Sequence, residues 1–183
     1  MGPAAQPLPQ GLNLIRVPLS SIGHLTILET RSQVWADEAA CAASARALAT
    51  HAGLSNACIE LDGPLGAGKT TFVRHLLHAL GVAGRVKSPT YALMEPYALA
   101  RAAAPPLQVW HFDFYRFNDP QEWEDAGFRD VFASEGLKIT EWARNAHGLL
   151  PRADLRIELE PLAGEGRRAR WNALTPRGVG LLA

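Results

Sequence analysis

Gly63-Pro64-Leu65-Gly66-Ala67-Gly68-Lys69-Thr70 fits G-x-x-x-x-G-K-[ST], a pattern whose residue types and spacing suit a polyphosphate. Glycines let successive backbone N–H groups curl around a β-phosphate, and a helix that follows adds its free amides and positive dipole end. Lys69 would then reach the β- and γ-phosphates, and the Thr70 hydroxyl would ligate Mg²⁺. In chains of this composition a chance match arises on the order of once in several hundred sequences. The context is also right: Ala57–Leu61 (ACIEL) reads as a strand entering the loop, and Thr70–Leu80 (TTFVRHLLHAL) as a helix leaving it, closed by Gly81. Of the 18 basic residues only Lys69, Lys87 and Lys138 are lysines, so a lysine falling in this slot incidentally is unexpected.

Such a loop needs a carboxylate on a neighbouring strand end to hold Mg²⁺ or to polarise the attacking water. Asp113 follows Val109-Trp110-His111-Phe112, and Glu141 follows Leu137-Lys138-Ile139-Thr140. Spacing does not rank the two, either could instead pair with Arg116 or Arg144, and Asp62 is a weaker third choice. Lys87-Ser88-Pro89-Thr90-Tyr91 sets hydroxyls on a proline-fixed turn, where a threonine could sense a γ-phosphate as switch loops do. Spacing alone favours a plain turn there. No N-K-x-D guanine reader occurs, which points to ATP rather than GTP. The Ala/Pro-biased stretch around Arg101 makes a poor kinase lid, although a small-metabolite kinase and a non-catalytic nucleotide-gated scaffold remain as other readings.

The elements around these residues alternate between strand and helix. His24–Leu28 (HLTIL) is a short strand candidate, and residues 33–51 read as an amphipathic helix with Trp35, Ala39, Ala42 and Leu48 on one face. Tyr91–Met94 and Val109–Phe114 have strand character, separated by a surface excursion over Ala98–Pro106. Asp119-Pro120 opens a helix as N-cap and first residue, and Leu137–Trp142 is another strand. Leu155–Leu159 and Ala169–Leu174 alternate apolar and polar around Gly164-Glu165-Gly166, as a closing β-hairpin does. The expectation is an α/β fold: one P-loop NTPase domain over 21–183, with a mainly parallel central sheet flanked by helices and a C-terminal hairpin. Residues 1–20, rich in Pro, Gly and Gln, read as a flexible tail.

Composition narrows the function classes. The 183 residues carry 18 Lys+Arg against 18 Asp+Glu, so a broad basic face that grips nucleic acid through phosphates is not expected. No apolar run is long enough for a membrane span and the start lacks a signal-peptide pattern, so the expected location is the cytoplasm. Cys41 and Cys58 lack C-x-x-C spacing and the six histidines lack H-E-x-x-H, so all eight read as structural.

GPLGAGKTT at the loop, VKSPTY (Val86–Tyr91), HFDFYR (His111–Arg116) and TEW (Thr140–Trp142) occur in that order and together resemble the TsaE (YjeE) family. The resemblance runs from about residue 24 to 174 and includes GRRAR (Gly166–Arg170). It implies a cytoplasmic Mg²⁺-dependent ATPase; because the sequence offers no built-in arginine finger, hydrolysis is expected to be slow alone and stimulated by partners. Such a protein acts with a TsaB–TsaD pair that places a threonylcarbamoyl group on the adenosine beside the anticodon of tRNAs reading ANN codons. It is not itself the transferase, and tRNA is met through the complex. By the same resemblance Gly63, Leu65, Gly66, Ala67, Gly68, Lys69, Thr70 and Thr71 hold the phosphates, while Thr70 with Glu141 holds Mg²⁺. Asp113 is the acid needed for hydrolysis, alongside Lys69 and Glu141, and Arg167 reaches the nucleotide. Trp142 lies beside the metal site, and Ser88 and Thr90 belong to a switch-like loop, which reverses the preference for an inert turn. Pro64, the first 20 residues, the 98–106 stretch and the lack of a threonine near Cys41 depart from the family pattern.

Overall fold

The computed structural model describes residues 13–14, 26–101 and 105–183. The tail expected over 1–20 lies outside the described residues except at β1 (Asn13–Leu14), which pairs antiparallel with the next strand. Among the described residues no helix is long and apolar enough to cross a membrane.

The first long strand, β2, is Glu29–Trp35, later in the chain than the expected His24–Leu28, of which His24 and Leu25 lie outside the described residues. Helix α1 spans Glu38–Ala49 rather than 33–51, because Asp37 caps it by accepting a hydrogen bond from the Ala40 N–H. Trp35 therefore belongs to the strand, opposite Arg167, and its indole N–H donates to Ser44 Oγ on α1 at 2.9 Å. Ala39, expected on the buried face, is exposed, whereas Ala42 and Leu48 are buried as expected.

Strand β3 (Cys58–Asp62) runs into the glycine loop, and α2 (Lys69–Ala79) leaves it. That helix closes where Gly81 N–H reaches the His78 carbonyl and Val82 N–H the Leu77 carbonyl. The expected strand at Tyr91–Met94 is corrected to β4 (Met94–Leu99), which also takes in Ala98 and Leu99 from the expected excursion at Ala98–Pro106. Residues 100, 101, 105 and 106 lie outside any strand, and 102–104 lie outside the described residues. Strand β4 forms a hairpin with β5 (Leu107–Asp113), so Ala98 and Leu99 sit in the ladder opposite Gln108 and Leu107. Short helices α3 (Pro120–Asp125, capped by Asp119) and α4 (Phe128–Ala133) follow, then β6 (Leu137–Glu141), β7 (Leu155–Pro161) and β8 (Arg167–Ala173). A last helix, α5 (Pro176–Leu181), was not expected.

The sheet order is β1-β2-β8-β7-β3-β6-β5-β4. The four central strands, β7, β3, β6 and β5, are parallel, whereas β2, β8 and β4 join antiparallel as the flanks. Alternate residues of β5 and β6 divide between two cores. Val109, Leu137 and Ile139 join the core beneath α1 and α2, where Trp35 stacks on Phe72 and Trp171 meets it edge-on, with ring centres 5.6 Å apart in both pairs. Phe112 instead joins Phe114, Phe117, Trp123 and Phe128 around α3 and α4. These two layers fix the C-terminal ends of β3, β5 and β6 side by side, the end of a parallel sheet where ligands bind in folds of this kind.

Candidate functional site

Strand pairing brings the sequence candidates to one level. Asp113 lies opposite Glu141 across β5 and β6, and Leu61, two residues before the glycine loop, lies opposite Glu141 across β3 and β6. Both carboxylates are almost wholly buried. Thr70, at the start of α2, donates its hydroxyl to Glu141 Oε2 at 3.0 Å. Asp113 is held differently: the hydroxyls of Ser88 and Thr90 both donate to its Oδ2 (Thr90 at 3.1 Å), and the Tyr115 amide donates to Oδ1 at 3.0 Å. The Lys87–Tyr91 turn is thus tied to the same carboxylate cluster as the loop. Arg116 and Arg144 serve neither acid, lying instead over the rings of Tyr91 and Trp142 at 4.5 and 4.6 Å.

The loop itself is shaped as the motif requires. Gly63 adopts φ +145°, and a Cβ there would stand 2.5 Å from the Leu159 carbonyl oxygen on β7, so only glycine lets the chain leave the sheet at this point. Its N–H is taken by Asp62 Oδ1 at 2.9 Å, so Asp62 braces the start of the loop. The first helical bond of α2 runs from Phe72 N–H to the Gly68 carbonyl, and Gly68 has no side chain to cap the amides of Lys69, Thr70 and Thr71. A helix start left in this way presents donors to an anion. Ala67 is fully buried beneath the loop, whereas Leu65 stands exposed at its tip.

Lys69 Nζ donates to the carbonyls of Gly63 (2.7 Å) and Pro64 (3.0 Å) and lies 4.1 Å from the centre of the Trp142 ring. Burial pushes its ammonium below the usual lysine range, against the pull of Glu141, Asp62 and Asp113. Trp142 occupies a left-handed backbone conformation (φ +59°), a strained setting for a large residue, directly after Glu141. Asn145 secures the adjoining strand ends by donating to the carbonyls of Phe114 and Tyr115. Arg167, across on β8, clasps the loop from outside, with Nε donating to the Ala67 carbonyl at 3.0 Å.

One residue of the site escaped the sequence reading. His111, assigned a structural role with the other histidines, is wholly buried and its Nε2 lies 2.9 Å from Glu141 Oε1. The available signal was its position two residues before Asp113, on the same face of a strand.

A family model described as "Threonylcarbamoyl adenosine biosynthesis protein TsaE" matches residues 35–169, well over half of the sequence. The chain belongs to the TsaE family. A "tRNA threonylcarbamoyladenosine biosynthesis protein TsaE" of Haemophilus influenzae is 42% identical over 102 residues, 56% of this chain and 61% of that protein. The chain therefore spans less than two thirds of that relative's length. The TsaE protein of Bacillus subtilis is 33% identical over 119 residues, covering 65% of this chain and 71% of the relative. In three dimensions, the crystal structure of Bacillus subtilis YdiB aligns with a TM-score of 0.66 at 23% identity, over 84% of this chain and 91% of that one, which supports the fold.

Proposed function

We propose that this TsaE-family chain binds and hydrolyses ATP with Mg²⁺, as an accessory factor in tRNA threonylcarbamoyladenosine synthesis and not as the transferase. The observation that carries the reading is the meeting of a Gly63–Thr70 loop with two buried carboxylates of adjacent parallel strands, Thr70 bonded to Glu141 at 3.0 Å. In this reading the loop amides and Lys69 bind the phosphates, with Leu65, Gly66, Ala67, Gly68 and Thr71 completing the cradle. A hydroxyl and a carboxylate are hard oxygen donors of the kind Mg²⁺ selects, so Thr70 and Glu141 are the residues that would hold it. An Mg²⁺ ion held by Thr70 and Glu141 would supply positive charge against that developing on the phosphates. Asp113, aimed by Ser88 and Thr90, would orient the attacking water and take its proton. Release of those hydroxyls would make the Lys87–Tyr91 turn a switch.

The partner in this reading is a TsaB–TsaD pair, with tRNA met through that complex, in the cytoplasm, and the working unit is the 21–183 domain. Two features favour a protein contact over direct RNA binding. Net charge is zero, and Leu65, Tyr91 and Tyr115 stand exposed on the loop tip, the switch-like turn and the chain beyond Asp113. Isothermal titration with Mg·ATP analogue tests the binding step: Lys69→Ala abolishes uptake, and an unchanged affinity refutes the phosphate cradle. Glu141→Ala weakens Mg²⁺-dependent hydrolysis more than nucleotide binding. TsaB and TsaD raise the turnover of the wild type, and equal rates with and without them refute the partnership.

A further inference from the structure

We propose that His111 is a positioning residue for the metal-holding carboxylate: its Nε2–H pins Glu141 Oε1, so that Oε2 is delivered to Thr70 and the ion. The inference rests on the nucleotide-binding reading above and adds a residue to it.

The geometry is a relay across two strands. His111 on β5 lies opposite Ile139 on β6, and Asp113 lies opposite Glu141, so the histidine stands one pleat below the carboxylate on the same face. Its Nε2 meets Glu141 Oε1 at 2.9 Å, while Glu141 Oε2 accepts from the Thr70 hydroxyl at 3.0 Å. A carboxylate only accepts hydrogen bonds, so Nε2 carries the shared proton. With one oxygen tied from below and the other from the helix, the carboxylate plane has a single setting.

Packing alone does not account for a histidine here. The side chain is 0% exposed and its Nδ1 has no hydrogen-bond partner among the described residues. A buried ring nitrogen without a partner costs stability, so an apolar residue would fill the space better. What imidazole adds, and an apolar residue lacks, is the donor to Glu141. Groups that orient a metal-holding side chain in this way typically change metal affinity about 10- to 100-fold when removed.

The test is uptake of a non-hydrolysable ATP analogue by the full chain, followed calorimetrically as Mg²⁺ is titrated, with the thermal midpoint of each variant recorded. His111→Leu raises the Mg²⁺ needed for half-maximal uptake about 10- to 100-fold and leaves the Mg²⁺-free affinity for the analogue unchanged. His111→Gln, whose amide nitrogen reaches the place of Nε2, recovers the wild-type Mg²⁺ dependence. A wild-type Mg²⁺ dependence in His111→Leu overturns the inference, as does a Gln variant impaired as deeply as the Leu variant. If His111→Leu does not fold, His111→Asn replaces it, because its shorter amide cannot reach Glu141; Asn impaired and Gln normal supports the role, and equal behaviour overturns it. A wild type that takes up no analogue at any Mg²⁺ concentration refutes the nucleotide reading itself, and this inference with it.

Discussion

Gly63→Ala separates two reasons for glycine within one motif. The residue follows Asp62, which pairs with Glu158 on β7, so the chain leaves the sheet hard against that strand. An added Cβ would meet the Leu159 carbonyl oxygen at 2.5 Å and Ala67 Cβ at 3.2 Å, at φ +145°. An L-residue held there costs about 1–2 kcal/mol. Moving a backbone carbonyl of a central strand adds about 1–3 kcal/mol, so the expected destabilisation is roughly 2–5 kcal/mol. Gly66→Ala is the control: φ is +78°, nothing among the described residues lies within 4 Å of the new Cβ, and only the conformational cost of about 1–2 kcal/mol applies. Urea unfolding followed by tryptophan fluorescence reads the difference. With a slope of about 2 kcal/mol/M, Gly63→Ala lowers the midpoint by roughly 1–2.5 M and Gly66→Ala by at most about 1 M. Equal midpoints for the two variants would refute the argument that contact with β7, rather than loop conformation alone, dictates the first glycine.

Two further outcomes follow from side chains around the loop. Arg167→Ala removes the clasp on the Ala67 carbonyl and weakens ATP-analogue binding about tenfold, with stability changed by no more than about 1 kcal/mol; calorimetry and urea unfolding together check both halves. Burial pushes the Cys41 and Cys58 thiols up to about 12, with Glu38 adding to the first and Asp154 and Glu60 to the second. At pH 8 their thiolate fraction is then roughly a thousandfold below that of a free thiol, so a thiol reagent modifies the folded protein only as fast as it opens. Rapid labelling of either cysteine in the native state would contradict this. The same shift sets a sign for stability. The folded chain keeps these protons to higher pH than the unfolded chain, so their contribution is lost as pH rises beyond the ordinary thiol range.

Much of the fold was legible because its signals are local. The capping carboxylate of Asp119 and the proline after it act within one helical turn, and the structure has the helix there. The alternation in 155–159 and 169–174 became the β7–β8 hairpin. Errors arose where an apolar residue fits two periods. Trp35 continues the spacing of α1, yet Asp37 starts the helix two residues later and the indole reaches α1 from the end of a strand. Ala98 and Leu99 looked like surface chain because their composition is strand-poor, and pairing with Gln108 and Leu107 overrode that preference.

By itself the amino-acid order determined the chemistry of one segment, since a glycine loop, a lysine and a threonine act on a phosphate through neighbours only a few residues away. Its spacing supplied two acids without ranking them, and the family resemblance assigned Glu141 to the metal and Asp113 to hydrolysis. Only the tertiary structure put the Thr70 hydroxyl on Glu141 Oε2, gathered Asp113 between Ser88 and Thr90, and set His111 against Glu141. Those contacts depend on the register between parallel strands: spacing within one strand tells which residues share a face, but not which residues of another strand they meet.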